Sequence, residues 1–322
     1  TVKTLLKTGY HRTRSEMERR RNTRQTTGGA SLALRSGPWR VALSGVATTF
    51  NRRLLPDTSV VYRRYSAVGK SFVNGSLSYS YSSPLLRVAG ETATGSTGGL
   101  AALHSVSISP SSRLDVALVH RYYSYRYRSL FAAGFSDGGA INNEHGLLVS
   151  VAWRPTDVLA LSAYADYARS EWPRYMVSFP SHVWDGQVAA SLALGAVTLD
   201  ARYRLRQRQR DNATHSALVS RTEHRARLSA TLDRSSWRLT TRADVALTAC
   251  DSLSRGWMVM QGGGVALRWL TADAWVGYFN TDSYDSRLYA FERGLLYSFS
   301  FPMFYGEGLR YGLRLRADLS RR

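Results

Sequence analysis

Apolar and polar residues alternate along most of the chain with a period of two. In residues 198–210 the apolar side chains, among them Leu199 and Leu205, fall on odd positions, whereas the even positions from Asp200 to Arg210 are charged. A period of two places successive side chains on opposite faces of an extended strand. The pattern therefore predicts a β-strand that has one apolar face and one charged face.

The same alternation recurs in about sixteen segments, each near the ~10 residues that a tilted membrane strand requires. Short turns such as residues 233–236 alternate with longer links such as residues 51–69, 124–143, 169–183, 207–217, 251–256 and 281–286. Membrane barrels have short periplasmic turns and longer outer loops, whereas a soluble β-sandwich has no reason to keep that order. The sequence predicts an all-β fold: a transmembrane antiparallel up-and-down β-barrel with about sixteen visible strands, as a fragment of a larger barrel whose closing strand is missing.

Tryptophans add a second indication of membrane strands. Trp257 and Trp269 lie twelve positions apart on one predicted face. At ~3.3 Å per residue and ~40° tilt, that separation is somewhat more than an apolar band of ~25 Å. We therefore predict an aromatic girdle of Trp153, Trp237, Trp257 and Trp269. The soluble alternative is a large β-sandwich or propeller, but no repeat of a propeller blade is visible.

Composition narrows the choice of partners. The chain has 322 residues, a net charge of +20 that is almost entirely arginine, and one cysteine, Cys250. No apolar run reaches the ~20 residues of a membrane helix. A surplus of arginine suits nucleic acid, lipopolysaccharide or anionic lipid, although it also keeps proteins soluble. A lone cysteine excludes a disulfide framework and a cysteine zinc site.

The arginine-bearing faces are predicted to line the barrel interior. Arginine on the lipid face costs ~2–4 kcal/mol at the membrane midplane, so these faces meet the lumen, and Arg208 and Arg210 rise into an outer loop. Two interpretations stay open: a docking wall for a polyanion, or a structural wall in which Arg202, Arg225 and Arg242 pair with acids across strands. The predicted basic ladder is Arg202, Arg204, Arg206, Arg221, Arg225, Arg227, Arg238, Arg242, Arg310, Arg314 and Arg316, and its acidic partners are Asp200, Glu223, Asp244 and Asp318.

Two further groups of residues suggest chemistry. The tyrosine–arginine cluster at residues 121–128 has the composition to stack bases or to bind lipopolysaccharide phosphates, but we favour a membrane-interface girdle. His145 beside Glu144 forms an acid–base neighbour pair, and neither a nucleophile motif nor a metal-ligand spacing accompanies it. We therefore predict a protein that is not an enzyme and that has no catalytic residue, no metal and no cofactor.

Short motifs in fixed order carry a family resemblance. They lie at residues 9–13 and 15–16, 90–91, 120–123 and 127, 143–146, 172–175 and 180–181, 284–287, 291–292 and 305–310. With them the chain resembles the helix-hairpin-helix domain-containing outer-membrane proteins of Bacteroidetes. The resemblance implies a competence-protein-like N-terminal module, which this chain does not show, and DNA handling or uptake at the outer membrane. The charged motif residues are expected to form a buried polar network: Arg12, Glu16, Glu91, Arg121, Glu144, Asp285, Arg287 and Glu292.

These observations predict two regions and a ranked set of functions. Residues 1–28 form a polar, basic lead-in, where residues 15–24 form either a short helix capped by Ser15 or a loop, and residues 29–322 form the barrel. The predicted function is a non-enzymatic barrel of the bacterial outer membrane that binds or passes an anionic macromolecule, with DNA suggested by the resemblance. The alternatives are a porin-like channel, a structural component of an envelope complex, and a rim-active hydrolase. The predicted partners are outer-membrane lipid, lipopolysaccharide, DNA and envelope proteins.

Overall fold

A computed structural model describes residues 1–5, 9–292, 294–295 and 301–317. It contains one short helix, α1 (Arg14–Glu18), two 3-10 turns (Val61–Arg63 and Tyr284–Ser286) and seventeen strands. The strands are β1 (Gln25–Ser36), β2 (Trp39–Leu54), β3 (Gly69–Ser82), β4 (Leu86–Gly95), β5 (Leu100–Ser111), β6 (Leu114–Tyr123), β7 (Glu144–Trp153), β8 (Leu159–Ser170), β9 (Ser181–Leu194), β10 (Val197–Asp211), β11 (Leu218–Asp233), β12 (Trp237–Ala249), β13 (Leu253–Ala266), β14 (Leu270–Thr281), β15 (Leu288–Tyr289), β16 (Met303–Phe304) and β17 (Glu307–Ala317).

Fifteen of these strands form a single antiparallel sheet. Each strand from β1 to β14 hydrogen-bonds to its neighbours in chain order, and β14 pairs with β17. The predicted all-β, antiparallel up-and-down architecture is confirmed, with fifteen strands in the sheet rather than about sixteen. Because fifteen is odd, β1 and β17 run in the same direction, and in the described part of the chain they are not hydrogen-bonded to each other.

The missing sixteenth crossing has a structural explanation. In the described residues between β14 and β17, which are 282–292, 294–295 and 301–306, a 3-10 turn and the two-residue strands β15 and β16 pack against the inner face of the sheet. We call this segment the β14–β17 link. The predicted loop at residues 281–286 is therefore only the beginning of a much longer connection.

The two ends of the sheet differ in the length of the connections between strands. The short turns include Gly195-Ala196, where Gly195 has φ 62°, a backbone conformation that favours glycine. At the other end the connections are mostly longer, among them residues 55–68, 124–143 and 171–180. Two predicted boundaries were wrong: the link after β12 spans only residues 250–252, and Arg208 and Arg210 lie within β10. Strand pairing of β10 with β11 continues to the Asp211–Leu218 pair, which explains why these arginines are not in a loop.

The lead-in also differs from the prediction. Thr13, rather than Ser15, caps α1: the Glu16 N–H donates to Thr13 Oγ1 at 3.2 Å, and the Thr13 N–H donates to Glu16 Oε2 at 3.3 Å. This reciprocal capping box satisfies two backbone donors at once. The sheet begins at Gln25, so the predicted boundary at residue 29 falls inside β1.

The two faces of the sheet differ in chemistry, as the alternation predicts. We call the face that the long links contact the inner face and the opposite one the outer face. Large apolar side chains such as Leu199 and Leu313 point outward and remain exposed. An apolar outer band on an up-and-down sheet is typical of a β-sheet protein that is embedded in a lipid bilayer. All four tryptophans of the predicted girdle are also exposed. No helix in the described residues is long and apolar enough to span a membrane.

Candidate functional site

The inner face of β9–β14 and β17 carries the arginine ladder. In the register of β10 and β11, Arg204 lies opposite Arg225, and Arg208 lies opposite Arg221. Like charges directly opposite each other destabilise a sheet. The ladder therefore needs carboxylates close by.

Three wall carboxylates are each shared by several arginines. The Arg204 Nε–H donates to Asp185 Oδ1 at 2.8 Å, and Arg206 Nε lies 3.5 Å from Asp185 Oδ2. Because each of these carboxylates binds two or three arginines, the wall carries more positive than negative charge. Glu223 binds Arg208 and Arg221 at 2.9 Å and Arg225 at 3.5 Å, and Asp244 binds Arg227 at 2.6 Å and Arg242 at 2.5 Å.

Two of the three predicted ion pairs form. Arg225 with Glu223 and Arg242 with Asp244 are paired, but along one strand at positions two apart rather than across strands. The third pair does not form: Arg202 and Asp200 both line a cleft of about 410 Å³, and Arg202 has no ion pair within the described ranges. Asp318 lies outside the described residues.

Several acidic partners were missed by sequence reasoning. Asp185 on β9 and Asp273 on β14 bind arginines of the neighbouring strands, and Asp137 binds Arg206 from a link. The two strand residues occupy the polar positions of their alternating segments, which is a signal that could have identified them. For Asp137 no local signal exists, since its partner lies sixty-nine positions away.

Arg121 on β6 is the most buried charged side chain of the inner face. It is 0% exposed and forms a two-bond contact with Asp166, at 2.7 and 3.0 Å, and a further ion pair with Glu144. Gly146 lies directly opposite, and a Cβ there would stand 2.5 Å from the Arg121 guanidinium carbon. The guanidinium therefore occupies the space that any larger residue at position 146 would fill.

The connection at residues 124–143, which we call the β6–β7 link, is hydrogen-bonded to the ion-pair cluster around Arg121. Glu144 accepts hydrogen bonds from the Asp137 N–H at 3.0 Å and the Gly138 N–H at 3.2 Å. The Asp137 carboxylate then pairs with Arg206 at 2.5 Å. The link is thus bound to two separate strands of the inner face, to β7 through Glu144 and to β10 through Arg206.

The β14–β17 link is held in a comparable way by arginines further along the wall. Arg221 pairs with Asp285 at 2.5 Å, and Arg225 donates to the backbone carbonyl of Arg287 at 3.1 Å. Arg242 donates to the carbonyl of Tyr289 at 2.8 Å. Part of the arginine surplus is therefore used to hold this link.

An apolar contact completes the attachment of the β14–β17 link. Its residues Leu288, Ala290 and Phe304 form a buried cluster with Met258 and Met260 of β13. Gly256 of β13 allows the close approach, because a Cβ there would collide with the carbonyl oxygen of Ser286. Sequence reasoning missed this cluster, since the link shows no long alternating segment.

The girdle prediction for the tyrosine–arginine cluster at residues 121–128 holds only for Tyr122, which points outward beside His145, and is wrong for the other members. Tyr123 and Tyr127 are buried on the inner side, and burial raises the pKa of Tyr127. Tyr125 stacks on Trp172 of another link, with ring centroids 5.5 Å apart. Arg128 donates to two backbone carbonyls, and burial lowers its pKa. The cluster thus connects the β6–β7 link to the connection at residues 171–180.

The charged motif residues form separate groups rather than one network. Arg12 and Glu16 interact beside α1, far from the wall, and Glu91 has no ion pair in the described parts of the chain. Arg121 with Glu144 belongs to the β6–β7 link. The remaining three lie in the β14–β17 link, where Asp285 binds Arg221, Arg287 donates to Tyr289 Oη and Glu292 binds Arg310.

Glu144 and His145 do not act as a pair. They are consecutive in β7, so Glu144 points inward to Arg121 while His145 points outward, where its Nε2 lies 3.2 Å from His120 Nε2. A general acid–base unit requires both groups within reach of one substrate. Among the described residues, no group of three or more potential ligands is arranged to hold a metal ion.

Comparisons with known proteins find similar folds but no family. No family model matches the chain, and no curated protein matches it. Among solved structures it is similar to OmpT of Vibrio cholerae (TM-score 0.43, 10% identity, 89% of this chain and 99% of that chain) and to a porin (0.40, 11%, 82% and 96%). It is also similar to the FrpB iron transporter of Neisseria meningitidis (0.38, 8%, 92% and 65%). At these values the likeness carries no argument about function, and the fold assignment stands on the strand topology.

Proposed function

We propose that this protein is a non-enzymatic channel of the bacterial outer membrane whose interior favours small anions. The placement follows from the strand architecture: an apolar outer band, short turns at one end and long links at the other are typical of outer-membrane barrels. The observation that carries the choice of ion is the sharing of Asp185, Glu223 and Asp244 among a larger number of arginines.

A wall with surplus positive charge attracts anions along its length. Rings or rows of arginine in a pore raise the local concentration of anions and repel cations, and the low dielectric of the surrounding protein strengthens the effect. Arg202 supports this proposal most directly, because it is exposed on the inner face and no described carboxylate neutralises it.

Small anions are favoured over a macromolecule because the inner face is already occupied. The β6–β7 link and the β14–β17 link lie on it and bind Arg206, Arg221, Arg225 and Arg242. These guanidiniums already have partners, so a long polyanion would have to displace the links to reach them.

The test is ion selectivity in a planar bilayer across a gradient of potassium chloride. We expect the reversal potential to indicate preference for chloride, and Arg202→Glu to reduce that preference by about twofold because it removes an unpaired cation and adds an anion. Arg255→Glu, on the outer face of β13, is the matched control and should leave selectivity unchanged. Equal effects of the two variants would contradict the proposal.

A macromolecular anion remains the second candidate, and DNA is the form that the family resemblance suggests. It is supported only by the arginine surplus and by that resemblance. Phosphate contacts make DNA binding strongly salt-dependent. Binding of duplex DNA by this chain that weakens with salt and disappears on reversing Arg202, Arg204, Arg225 and Arg242 would favour it over a channel for small anions.

A further inference from the structure

Five neighbouring strands place a basic or imidazole side chain on the outer face near the long-link end. His104 of β5 lies opposite His120 of β6, and His145 of β7 lies diagonally beside His120. Arg169 of β8 lies opposite both His145 and His182 of β9. We call His104, His120, His145, Arg169 and His182 the basic row. Its members point away from the arginine wall, so the channel proposal does not use them.

Among the described residues, no carboxylate forms an ion pair with a member of the basic row. Its members contact tyrosines of the same face: His104 Nδ1 lies 3.0 Å from Tyr79 Oη, and the His182 ring packs on Tyr167. Arg169 is exposed and has no ion pair in the described ranges. Glu144 of β7 points inward, and the exposed Glu171, two residues beyond Arg169, forms no ion pair with it in the described structure. The guanidinium of Arg169 therefore has several free donors directed outward.

The level of the row in the membrane suits headgroups. His145 and His182 are the second residues of their strands, and Arg169 is the second to last of β8. An arginine on the lipid face costs ~2–4 kcal/mol at the midplane but only ~0–1 kcal/mol near an interface. Long connections mark the extracellular side of such sheets, so the row lies at the outer leaflet. A phosphate is the acceptor that best matches a guanidinium fork.

An apolar groove lies on the same strands, deeper in the membrane. It has a volume of about 600 Å³, and alanines form its floor between larger apolar side chains. Arg169 and Ala163 are six residues apart, which is ~20 Å along the strand and ~15 Å along the membrane normal at ~40° tilt. The end of the groove nearest the row, at Ala163 and Val188, therefore lies at about the depth of one leaflet. The floor alanines are Ala163, Ala190, Ala201 and Ala226, flanked by Leu161, Val188 and Leu228.

We propose that the outer face of β7–β9 binds a phosphorylated lipid of the outer leaflet. The headgroup phosphate accepts hydrogen bonds from Arg169, between His145 and His182, and an acyl chain extends along the strands into the alanine groove. The groove selects a lipid over a free phosphate ion, because only a lipid occupies both parts. This proposal rests on placement of the sheet in the outer membrane and not on ion selectivity.

The test is retention of lipid A by the folded full chain in detergent, measured by native mass spectrometry after addition of lipid A or of phosphatidylcholine. We expect lipid A to be retained and Arg169→Gln to weaken its binding by about tenfold, the factor that corresponds to ~1.4 kcal/mol. Arg255→Gln, an exposed outer-face arginine without imidazole neighbours, is the control and should retain lipid A as the unmodified chain does.

A second variant examines the groove alone. Ala163→Phe fills the end of the groove nearest the row and leaves the basic row intact, so lipid A binding should also fall. Equal losses for Arg169→Gln and Arg255→Gln would overturn the proposal. So would displacement of lipid A by millimolar inorganic phosphate, since the site would then hold a free anion, or equal retention of phosphatidylcholine and lipid A.

Discussion

The inner face has two walls of different chemistry. On β1–β5 many inward side chains are small or hydroxylic, and some of them pair: Ser31 Oγ lies 2.9 Å from Ser44 Oγ, and Thr27 Oγ1 lies 3.2 Å from Thr48 Oγ1. This part also carries charged side chains, among them Arg35 directly opposite Arg40. On β9–β14 and β17 it is built from arginines and shared carboxylates. Strands on both walls pair in the same antiparallel order, so the contrast between the walls lies mainly in their side chains.

The comparison shows what the surplus arginines hold in place. The hydroxyl pairs on the first wall are uncharged and, in the described structure, form no hydrogen bond to a link. On the second wall the carboxylates are too few, and the links supply additional acceptors: Asp137, Asp285 and the backbone carbonyls of Arg287 and Tyr289. The arginines thus have two roles, since they anchor the links and also give the interior its positive potential.

Breaking the buried ion-pair cluster of Arg121, which lies between the two walls, should have the largest effect on the free energy of unfolding. Arg121→Ala leaves Glu144 and Asp166 buried without their cation, and removal of one partner of a buried ion pair costs about 3–5 kcal/mol. We expect this loss in the free energy of unfolding, measured by urea denaturation in detergent. Arg202→Ala, whose side chain has no ion pair within the described ranges, is the control. A loss of under about 1 kcal/mol for Arg121→Ala would contradict the account.

A smaller effect is expected from filling the space beneath Arg121. Gly146→Ala places a methyl group 2.5 Å from the guanidinium carbon, and overpacking of this kind costs about 1–3 kcal/mol. On the outer face of β2, Gly45→Ala is the control change, because nothing lies within 4 Å of its Cβ position. Thermal unfolding of the two variants should separate them, and similar midpoints would show that Gly146 has no special role.

The smallest effect should come from the first wall itself. The double variant Ser31→Ala with Ser44→Ala removes both partners of an exposed hydroxyl pair, and such paired removal is nearly neutral. We expect a change of under about 0.5 kcal/mol in the free energy of unfolding. A loss comparable to that of Arg121→Ala would mean that the two walls contribute alike to stability.

Alternation was sufficient to predict the sheet, because a period of two fixes which side chains share a face. It also predicted that the faces of Arg204 and Arg242 point inward. The path of the β14–β17 link and the burial of Tyr123 could not be predicted, since both depend on contacts between residues far apart in sequence. The same holds for Arg206 with Asp137: only the register of β10 and the course of the β6–β7 link bring them together.

The predicted cross-strand ion pairs were wrong for a related reason. The sequence suggests that Arg225 and Arg242 bind acids across strands, but a long arginine side chain reaches an acid two positions along its own strand equally well. In the actual register, Arg225 faces Arg204 across the strands rather than an acid. Register is set by many weak contacts at once, so a single strand cannot reveal it.

The most direct test of the central claim is the reversal potential of the unmodified, folded chain in a planar bilayer separating concentrated from dilute potassium chloride. Surplus arginine on the second wall predicts a sign that corresponds to preferential passage of chloride, weakening as salt screens the wall. A potential of the opposite sign, or one of zero at low salt, would contradict the claim that the surplus positive charge of the second wall determines what the interior admits.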